Sequence, residues 1–461
     1  MTNLTEGSVT RHLIVFSGFI AIGMVLQTLY FLADLYWVGR LGKESIAAVS
    51  LVGTLGFLVL ALTHMLGVGT ATVTSHAAGA GSTPRAIHAF NQAYVLSLVT
   101  GVAFAVAAYA LRGVYTARLG ADAETARLGL AYLNWLIPAL VLQFLVIAMG
   151  SALRGTGVVK PMVVVQATTV LLNIVLAPVL IFGWGMGRPL GVLGAAVASL
   201  VASVFGVTAL FLYFMRSASY LRFDLTDWKP DWAAWRTMIR IGAPAGAEFV
   251  MLSVYMMFVH SIIRPFGAAA QAGFGIGGRV MQAMFLPVIA IGFATAALVG
   301  QNFGARKAER VRQSFRSALM LATVPMLAFT AACQLLAEPL VRVFSREPAV
   351  IAFGTECLQI VSWNFVGFGL AYTTSSIFQG IGHTLPPLVS SVLRVVLFAV
   401  PVYLLSLRPG FQIREVWYLS VATVAVQAML NVALLQREFG RRLRFDAPSG
   451  EASAAAASVS R

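Results

Sequence analysis

Three charged side chains stand inside long apolar stretches of this sequence. Asp34 lies within the first stretch, Glu248 follows Pro244 by one helical turn, and Arg394 has apolar neighbours on both sides. A charged group at membrane depth costs on the order of 3 kcal/mol on insertion scales, so it normally faces water or a partner. Each of the three is therefore a candidate for binding an ion or a solute.

Asp34 shares one helix face with Gln27 and Tyr30, which lie seven and four residues earlier. A carboxyl group that is removed from water favours its neutral form, so Asp34 is suited to exchanging a proton. The alternative is that Asp34 sits at the outer membrane boundary, among the lipid headgroups. Intramembrane carboxylates are functional residues by default, so we favour the first interpretation.

Other polar residues can complete an ion site around this carboxylate. Asn173 lies in the fifth apolar stretch, and Ser199 and Ser203 share one face of the sixth. Such residues more often join neighbouring helices by hydrogen bonds, and that alternative stays open. We predict an ion-coupling set and a substrate-cavity set. The first comprises Asp34, Asn173 and Ser199, and the second Gln27, Tyr30, Glu248 and Arg394.

Structural alternatives apply to the last two cavity residues. Glu248 is close enough to its helix end to be a boundary carboxylate in contact with water. Arg394 can bind anionic groups in a cavity or tie helices together through backbone carbonyls, and an intramembrane arginine needs a partner in either case.

The composition excludes a soluble protein. The chain of 461 residues is 59% hydrophobic and only 11% charged, whereas soluble domains carry about 25% charged residues. Long charge-free gaps, such as the one between Arg11 and Asp34, can each hold a spanning helix of roughly 20 residues. The net charge of +15 fits the lysine and arginine that membrane proteins collect in cytoplasmic loops. No basic stretch with interleaved aromatic residues indicates nucleic-acid binding.

The apolar stretches predict an all-α integral membrane protein of twelve transmembrane helices. Their predicted ranges are 12–38, 46–72, 87–111, 128–153, 161–183, 190–215, 236–264, 271–300, 314–337, 354–379, 385–407 and 414–436. With the N-terminus inside, the inner segments carry 19 lysines and arginines and the outer loops carry 12. This bias places both termini in the cytoplasm. The first apolar stretch is too long for a cleavable signal peptide.

The chain repeats itself with an offset of 225 residues. Matching residue types recur in one register without gaps, and Arg85 falls on Arg310 and Pro161 on Pro386. Each repeat holds six helices, an even number, so both halves enter the membrane from the same side. Such halves are related by an axis along the membrane normal, with a substrate cleft between them.

No catalytic or cofactor signature accompanies this architecture. The six histidines show no metal-ligand spacing, and the sequence contains no P-loop and no G-x-S-x-G turn. Cys333 and Cys357 lie in or at the edge of apolar segments, where packing is the expected role. We expect neither enzymatic activity nor a cofactor.

Several motifs together resemble one family. The run from Asp34 to Ala48, the segment from Val299 to Ala305, Gly242-Ala-Pro244, Ile276-Gly-Gly-Arg279-Val and the turns Arg154-Gly-Thr-Gly157 and Gln379-Gly-Ile-Gly382 are similar to motifs of the MATE (multidrug and toxic compound extrusion) transporters. The resemblance covers roughly residues 12–440. It implies a V-shaped pair of six-helix lobes that exports organic cations in exchange for protons or sodium, with Asp34 as the coupling carboxylate.

The sequence departs from the family at the coupling site. Members with a paired acidic site read Asn-x-x-x-Asp on the fifth helix, whereas this chain has Asn173 and Ala177. Other members carry an acid further along the seventh helix than Glu248, and the proline near the start of the first helix is absent. The missing second carboxylate at position 177 favours H⁺ as the coupling ion. Na⁺ stays open, because Glu248 can complete a sodium site in the other lobe.

The sequence therefore predicts a monomeric, multi-pass antiporter of the cell inner membrane that exports amphipathic, cationic solutes through a lipid bilayer. The predicted units are an N-terminal lobe (1–220), a cytoplasmic linker (221–235), a C-terminal lobe (236–440) and a disordered cytoplasmic tail (441–461). Two other functions stay open. A lipid-linked precursor flippase of the same superfamily favours more helices and several cavity arginines. A membrane-embedded lipid-modifying enzyme needs a His, Asp or Glu cluster at one membrane face.

Overall fold

The computed structural model describes residues 3–120, 122–184, 187–216 and 220–445. These residues form thirteen α-helices. The helices are α1 Val9–Gly39, α2 Lys43–Gly79, α3 Thr83–Leu119, α4 Ala123–Gly155, α5 Lys160–Phe182, α6 Val192–Arg216, α7 Trp232–Ile263, α8 Ala268–Gly304, α9 Ala308–Arg342, α10 Pro348–Val361, α11 Asn364–Ile381, α12 Leu385–Ser406 and α13 Ile413–Arg442.

The predicted membrane architecture is confirmed. In the described residues eleven helices are long and apolar enough to cross a membrane, and α10 and α11 together make a twelfth span. The sequence predicts one straight tenth helix, but the chain breaks at Ser362 and Trp363 and bends by 51°. Ser362 supports the break, because it accepts a hydrogen bond from Gln334 of α9 at 2.8 Å and donates one to the carbonyl of Gln359 at 3.0 Å.

The repeat is visible in the packing of the two lobes, α1–α6 and α7–α13. In the first lobe, a Cβ atom on Gly67 would lie 3.1 Å from the hydroxyl of Ser151. In the second lobe, a Cβ atom on Gly292 would lie 2.5 Å from the hydroxyl of Ser376. Both pairs are related by the 225-residue offset, so each lobe packs its second helix against its fourth span in the same way.

The linker between the lobes is held on α3. His88 contacts both Asp227, at 3.2 Å, and Asp231, at 3.0 Å. Gln92 donates hydrogen bonds to the carbonyls of Asp227 and Lys229, the latter at 2.8 Å. The hydrogen bond from His88 lowers the pKa of the Asp231 carboxyl, which also caps the start of α7 by accepting from the Ala233 amide at 2.9 Å. The linker is thus anchored to the first lobe.

The lobes meet closely at one end of the molecule. We call this end the termini side; it holds the start of α1 and the turns that follow α2 and α8. Here α2 and α8 cross at Gly79 and Gly304. A Cβ atom on Gly79 would lie 1.9 Å from the carbonyl oxygen of Gln301, and one on Gly304 would lie 2.2 Å from that of His76. Only glycine permits this approach, and the termini side is closed as a result.

Candidate functional site

Two residues of the predicted ion-coupling set, Asn173 and Ser199, meet Tyr30 of the predicted cavity set on α5, α6 and α1. Tyr30 donates a hydrogen bond to the hydroxyl of Ser199 at 2.8 Å. The amide of Asn173 donates to the Tyr30 hydroxyl at 3.3 Å and approaches Ser199 at 3.5 Å. Ser203 lies outside this contact, since its hydroxyl donates to the carbonyl of Ser199 in its own helix at 2.8 Å. Three residues from three helices therefore form one polar cluster inside the first lobe.

Asp34 lies one helical turn beyond Tyr30, towards the end of α1. Among the described residues, its buried Oδ1 atom has no hydrogen-bond partner, and neither has the buried Oδ1 atom of Asn173. Asp34 interacts electrostatically with the phenols of Tyr30 and Tyr132. A buried carboxylate oxygen without a partner is costly, and binding a proton or a cation removes that cost. Among the described residues, Asp34 and Asn173 thus each present an unpartnered oxygen on the helices that carry the polar cluster.

Ala177, one turn after Asn173, is fully buried among apolar side chains that include Val38 and Ile181. The absence of a second carboxylate at this position is thus accommodated by packing. Among the described residues, no group of three or more His, Cys, Asp or Glu could hold a metal ion.

A cavity of about 390 Å³ opens beside this cluster in the first lobe. Gln27 and Tyr30 line it, as the sequence predicts, and Gln166 donates a hydrogen bond to Gln27 at 3.1 Å. Asp34 is not among the lining residues. Tyr30 lies between the two: it borders the cavity, donates a hydrogen bond to Ser199 and interacts electrostatically with Asp34.

Arg154 is a site residue that is absent from both predicted sets. The predicted fourth helix ends at residue 153 and leaves Arg154 among the loop charges, but α4 continues to Gly155 and carries the side chain into the wall of the first-lobe cavity. The guanidinium donates to Ser151 at 2.8 Å and lies 4.7 Å from the ring centre of Phe293 in the other lobe. In the described part of the chain no carboxylate is within ion-pair distance of Arg154.

The internal repeat is the feature of the sequence that indicates Arg154. Offset by 225 residues, Arg154 corresponds to Gln379, which is buried and lines the second-lobe cavity. Two polar residues at equivalent helix ends thus border the two cavities. Arg154 and Arg394 thus both lie inside the bundle, each lining one cavity.

The other two predicted cavity residues, Glu248 and Arg394, lie in the second lobe. Glu248 of α7 accepts hydrogen bonds from Ser375 at 2.9 Å and from Ser391 at 3.4 Å. Gln427 donates to Ser391 at 3.0 Å and accepts from Arg394 at 3.4 Å. Glu248 and Arg394 therefore belong to one network, but they are joined through Ser391 and Gln427 rather than by a direct ion pair.

Arg394 is further held by an aromatic ring. Its guanidinium lies 4.6 Å from the ring centre of Tyr255, and its buried Nε atom has no partner among the described residues. Glu248 and Arg394 both line a cavity of about 140 Å³. The predicted cavity role therefore agrees with their positions, although the same contacts also tie helices together.

His64 of α2 stands between the two lobes. It lines both cavities, and its ring packs against Phe249 at 4.4 Å and Phe293 at 5.9 Å between ring centres. Tyr372 interacts electrostatically with both Glu248 and Arg154. The predicted cavity residues are therefore divided between two cavities, with Gln27 and Tyr30 in the first and Glu248 and Arg394 in the second. His64 borders both cavities, and Arg154 of the first interacts with Tyr372 of the second.

Two duplicated lobes of six spans each, closed against each other at one end and with polar cavities inside, define a multi-pass membrane transporter. The comparison with protein families agrees. The family described as MatE matches residues 20–179 and 244–405, one segment in each lobe. The chain belongs to the MATE family of transporters, which is not a family of enzymes.

Bacterial relatives match most of the chain. It is 26% identical over 431 residues to "Probable multidrug resistance protein YoeA" of Bacillus subtilis (strain 168), covering 92% of this chain and 93% of the relative. It is 27% identical over 385 residues to "Probable multidrug resistance protein NorM" of Thermotoga maritima, covering 82% and 81%. The "Multidrug export protein MepA" of Staphylococcus haemolyticus is 24% identical over 381 residues, covering 82% and 83%.

Solved structures match the fold. One described as the outward-facing conformation of a multidrug resistance MATE family transporter has a TM-score of 0.88 and 26% identity, covering 97% of this chain and 99% of that one. A MOP superfamily transporter from Pyrococcus furiosus, described as having a binding pocket of reverse polarity, has a TM-score of 0.87 and 25% identity, covering 96% and 99%. The V-shaped two-lobe fold that the sequence predicts is confirmed.

Proposed function

We propose that this transporter exports amphipathic organic cations in exchange for inward-moving protons, with Asp34 as the coupling carboxylate. The observation that carries the proposal is the buried Oδ1 atom of Asp34, which has no hydrogen-bond partner among the described residues. When protonated, the group is neutral and suits its surroundings; when ionised, it needs water or a cation. A cation in the cleft favours ionised Asp34, and a proton entering from outside neutralises it and releases the cation.

The oxygen atoms around Asp34 favour a proton over sodium. A dehydrated sodium ion needs several oxygen ligands, and a compensating negative charge lowers the cost of burying it. Near Asp34, Tyr30 and Ser199 bond to each other, and position 177 is an alanine instead of a second acid. A proton needs one carboxylate and no cage. Asn173 and Ser199 would then position Tyr30 beside the coupling group.

The closed termini side supports an outward-facing state. The proposed orientation places both termini in the cytoplasm of the cell inner membrane, since positive charge collects on that side. Closure between Gly79 and Gly304 would then seal the cytoplasmic end. The structural likeness to a MATE transporter described as outward-facing supports the same assignment.

Labelling of single cysteines tests this orientation. We expect cysteines at Asp122, the capping residue of α4, and at Ser449, which lies outside the described residues, to react from opposite sides of the membrane. A membrane-impermeant maleimide applied to sealed, right-side-out vesicles should label the first and leave the second unmodified. Labelling of both from one side would contradict the orientation.

Export of lipid-linked anionic precursors is the second candidate function. The observation that favours it is Arg154, a cavity arginine without a carboxylate partner in the described part of the chain. Together with Arg394, it gives the interior two positive charges. The twelve spans and the small volume of the second-lobe cavity favour the export of smaller solutes.

Transport in proteoliposomes tests the proposed function. With an imposed ion gradient and no ATP, the protein should move a fluorescent organic cation, such as ethidium, against its concentration gradient. Protein-free liposomes and proteoliposomes without a gradient are the controls. If no organic cation responds to either a proton or a sodium gradient, and a lipid-linked pyrophosphate crosses the bilayer instead, the flippase function replaces this one.

A further inference from the structure

A third cavity lies on the termini side, away from Asp34 and Glu248, at the junction of the lobes. Its volume is about 560 Å³, within the range of small-molecule sites. Its walls come from the end of α2, the start of α3, the end of α8 with the turn that follows, and the segment after α13. Its lining residues are Val73, His76, Ala77, Ala80, Arg85, Phe303, Gly304, Arg306, Arg444 and Phe445.

The charge of this cavity has one sign. Arg85, Arg306 and Arg444 line it, and no acidic residue does. In the described ranges, none of the three guanidinium groups has a hydrogen bond or an ion pair. Phe303 and Phe445 form an aromatic wall, with ring centres 5.6 Å apart. Arginine recognises planar anionic groups, and phosphate above all, by paired hydrogen bonds.

The repeat shows that this arrangement is not a general feature of positive loops. Arg310 is the counterpart of Arg85 in the second lobe. Its guanidinium donates to the side chain of Asn302 at 2.9 Å and to the carbonyl oxygens of Gly7, at 3.0 Å, and Leu4, at 3.2 Å. Arg310 thus fixes the N-terminal segment, whereas Arg85 keeps its donors free for the cavity.

The backbone of Arg306 is a second, independent observation. Among the described residues it is the one non-glycine with a positive φ, 56°. Its counterpart in the first lobe is Gly81, with φ 69°. Both helices end alike: the amide of Arg306 donates to the Phe303 carbonyl at 3.0 Å, and that of Gly81 to the Ala78 carbonyl at 3.1 Å.

Glycine is the residue that this helix-ending geometry favours, because a side chain in the left-handed region is strained. An arginine here therefore costs stability that glycine would not. Backbone strain of this kind is concentrated at functional sites. The positive φ of Arg306 therefore indicates a function for this side chain. The use that the cavity offers is a third positive charge.

We propose that Arg85, Arg306 and Arg444 form a binding site for a phosphate-bearing anion at the junction of the two lobes. Arg85 belongs to the first lobe, and Arg306 and Arg444 belong to the second. An anion bound to all three holds the lobes together at the termini side. Because it binds this closed conformation better than one with the lobes apart, it raises the population of the closed conformation. The site lies outside the transport cavities, so its occupant is a regulator rather than cargo.

Binding and thermal unfolding of the purified full-length protein test the site. The probes are phosphatidylglycerol in nanodiscs of otherwise neutral phosphatidylcholine, and soluble glycerol 3-phosphate with the protein in phosphatidylcholine alone. We expect Arg306→Gly and Arg85→Ala each to weaken binding about tenfold, the effect of losing one charge-assisted hydrogen bond. Arg306→Lys should lose less, because it keeps the charge. Binding of the lipid alone identifies a headgroup as the source of the phosphate; binding of glycerol 3-phosphate as well identifies a free phosphate ester.

The Tm measured with and without a probe distinguishes a variant that has lost binding from one that has lost stability. Arg306→Gly removes the strained side chain, so without either probe its Tm should equal or exceed that of the parent. The rise in Tm that the probe gives the parent should be lost. Arg11→Ala, which removes an exposed arginine at the same end of the molecule, is the matched control and should bind as the parent does. The proposal is overturned if the double variant Arg85→Ala/Arg306→Gly binds both probes like the parent, or if Arg11→Ala loses as much.

Discussion

Replacement of Asp34 by asparagine is expected to reduce proton-driven efflux to the level of protein-free liposomes while the protein still folds. The substitution keeps the size of the side chain and removes the group that titrates. The buried Oδ1 atom of Asp34 has no hydrogen bond to lose among the described residues, so the native packing should persist. Efflux of a fluorescent cation from proteoliposomes under a pH gradient measures the effect.

Asp122→Asn provides the matched control for this variant. Asp122 caps α4 by accepting from the Thr125 amide at 2.7 Å, and asparagine caps a helix about as well as aspartate does. The control removes one carboxylate without touching the interior, and it should transport like the parent. Export by Asp34→Asn protein at the parent rate, under the same gradient, would show that Asp34 is not the coupling residue.

Replacement of Gly79 by alanine is expected to stop transport by a different route. The new Cβ atom would lie 1.9 Å from the carbonyl oxygen of Gln301, a separation that two such atoms do not adopt. The overlap exists only while the termini side is closed, and backbone on both sides leaves little room for adjustment. The variant should therefore insert and fold, but populate states in which this end is open.

Accessibility of a buried contact measures that shift. Thr72 of α2 donates to the carbonyl of Gln379 at 2.9 Å across the lobe junction. A cysteine at Thr72, with Cys333 and Cys357 replaced, should react with a maleimide from the termini side in Gly79→Ala protein and stay protected in the parent. Gly18→Ala is the control, because nothing lies within 4 Å of the added atom. Transport by Gly79→Ala protein at the parent rate, with Thr72→Cys protected, would contradict the proposed closure.

The sequence predicts the architecture well, because long apolar runs and a fixed repeat offset are properties of the chain itself. Twelve spans and two lobes follow from them, and the family follows from the resemblance of several motifs. The break between α10 and α11 does not, since no proline or glycine marks Ser362 and Trp363. It depends on Gln334, which contacts Ser362 from another helix.

The candidate site could be predicted only in part. Helix periodicity places Gln27, Tyr30 and Asp34 on one face, but the bond from Tyr30 to Ser199 depends on how α1 packs against α6. The sequence predicts Arg154 in a loop, because a charge at the end of an apolar run normally marks the membrane boundary. In the structure, the neighbouring lobe covers that helix end and brings Phe293 against the guanidinium.

The arginines of the termini-side cavity, Arg85, Arg306 and Arg444, could not be predicted as a group from the sequence. A count of positive loop charges gives the orientation of a membrane protein but treats Arg85 and Arg310 alike. Only their hydrogen bonds separate a side chain that fixes the N-terminal segment from one that lines a cavity.

The identity of the coupling ion tests proton-coupled export through Asp34 most directly. Proteoliposomes carrying the parent protein are loaded with a fluorescent cation and given either a pH gradient without sodium or a sodium gradient at equal pH on both sides. If protons drive transport through Asp34, the pH gradient moves the cation, and the sodium gradient alone moves it no faster than the leak. Asp34→Asn protein should not respond to the pH gradient. Robust movement driven by sodium at equal pH, with no response to the pH gradient, would contradict proton coupling and point to a sodium site completed by Glu248.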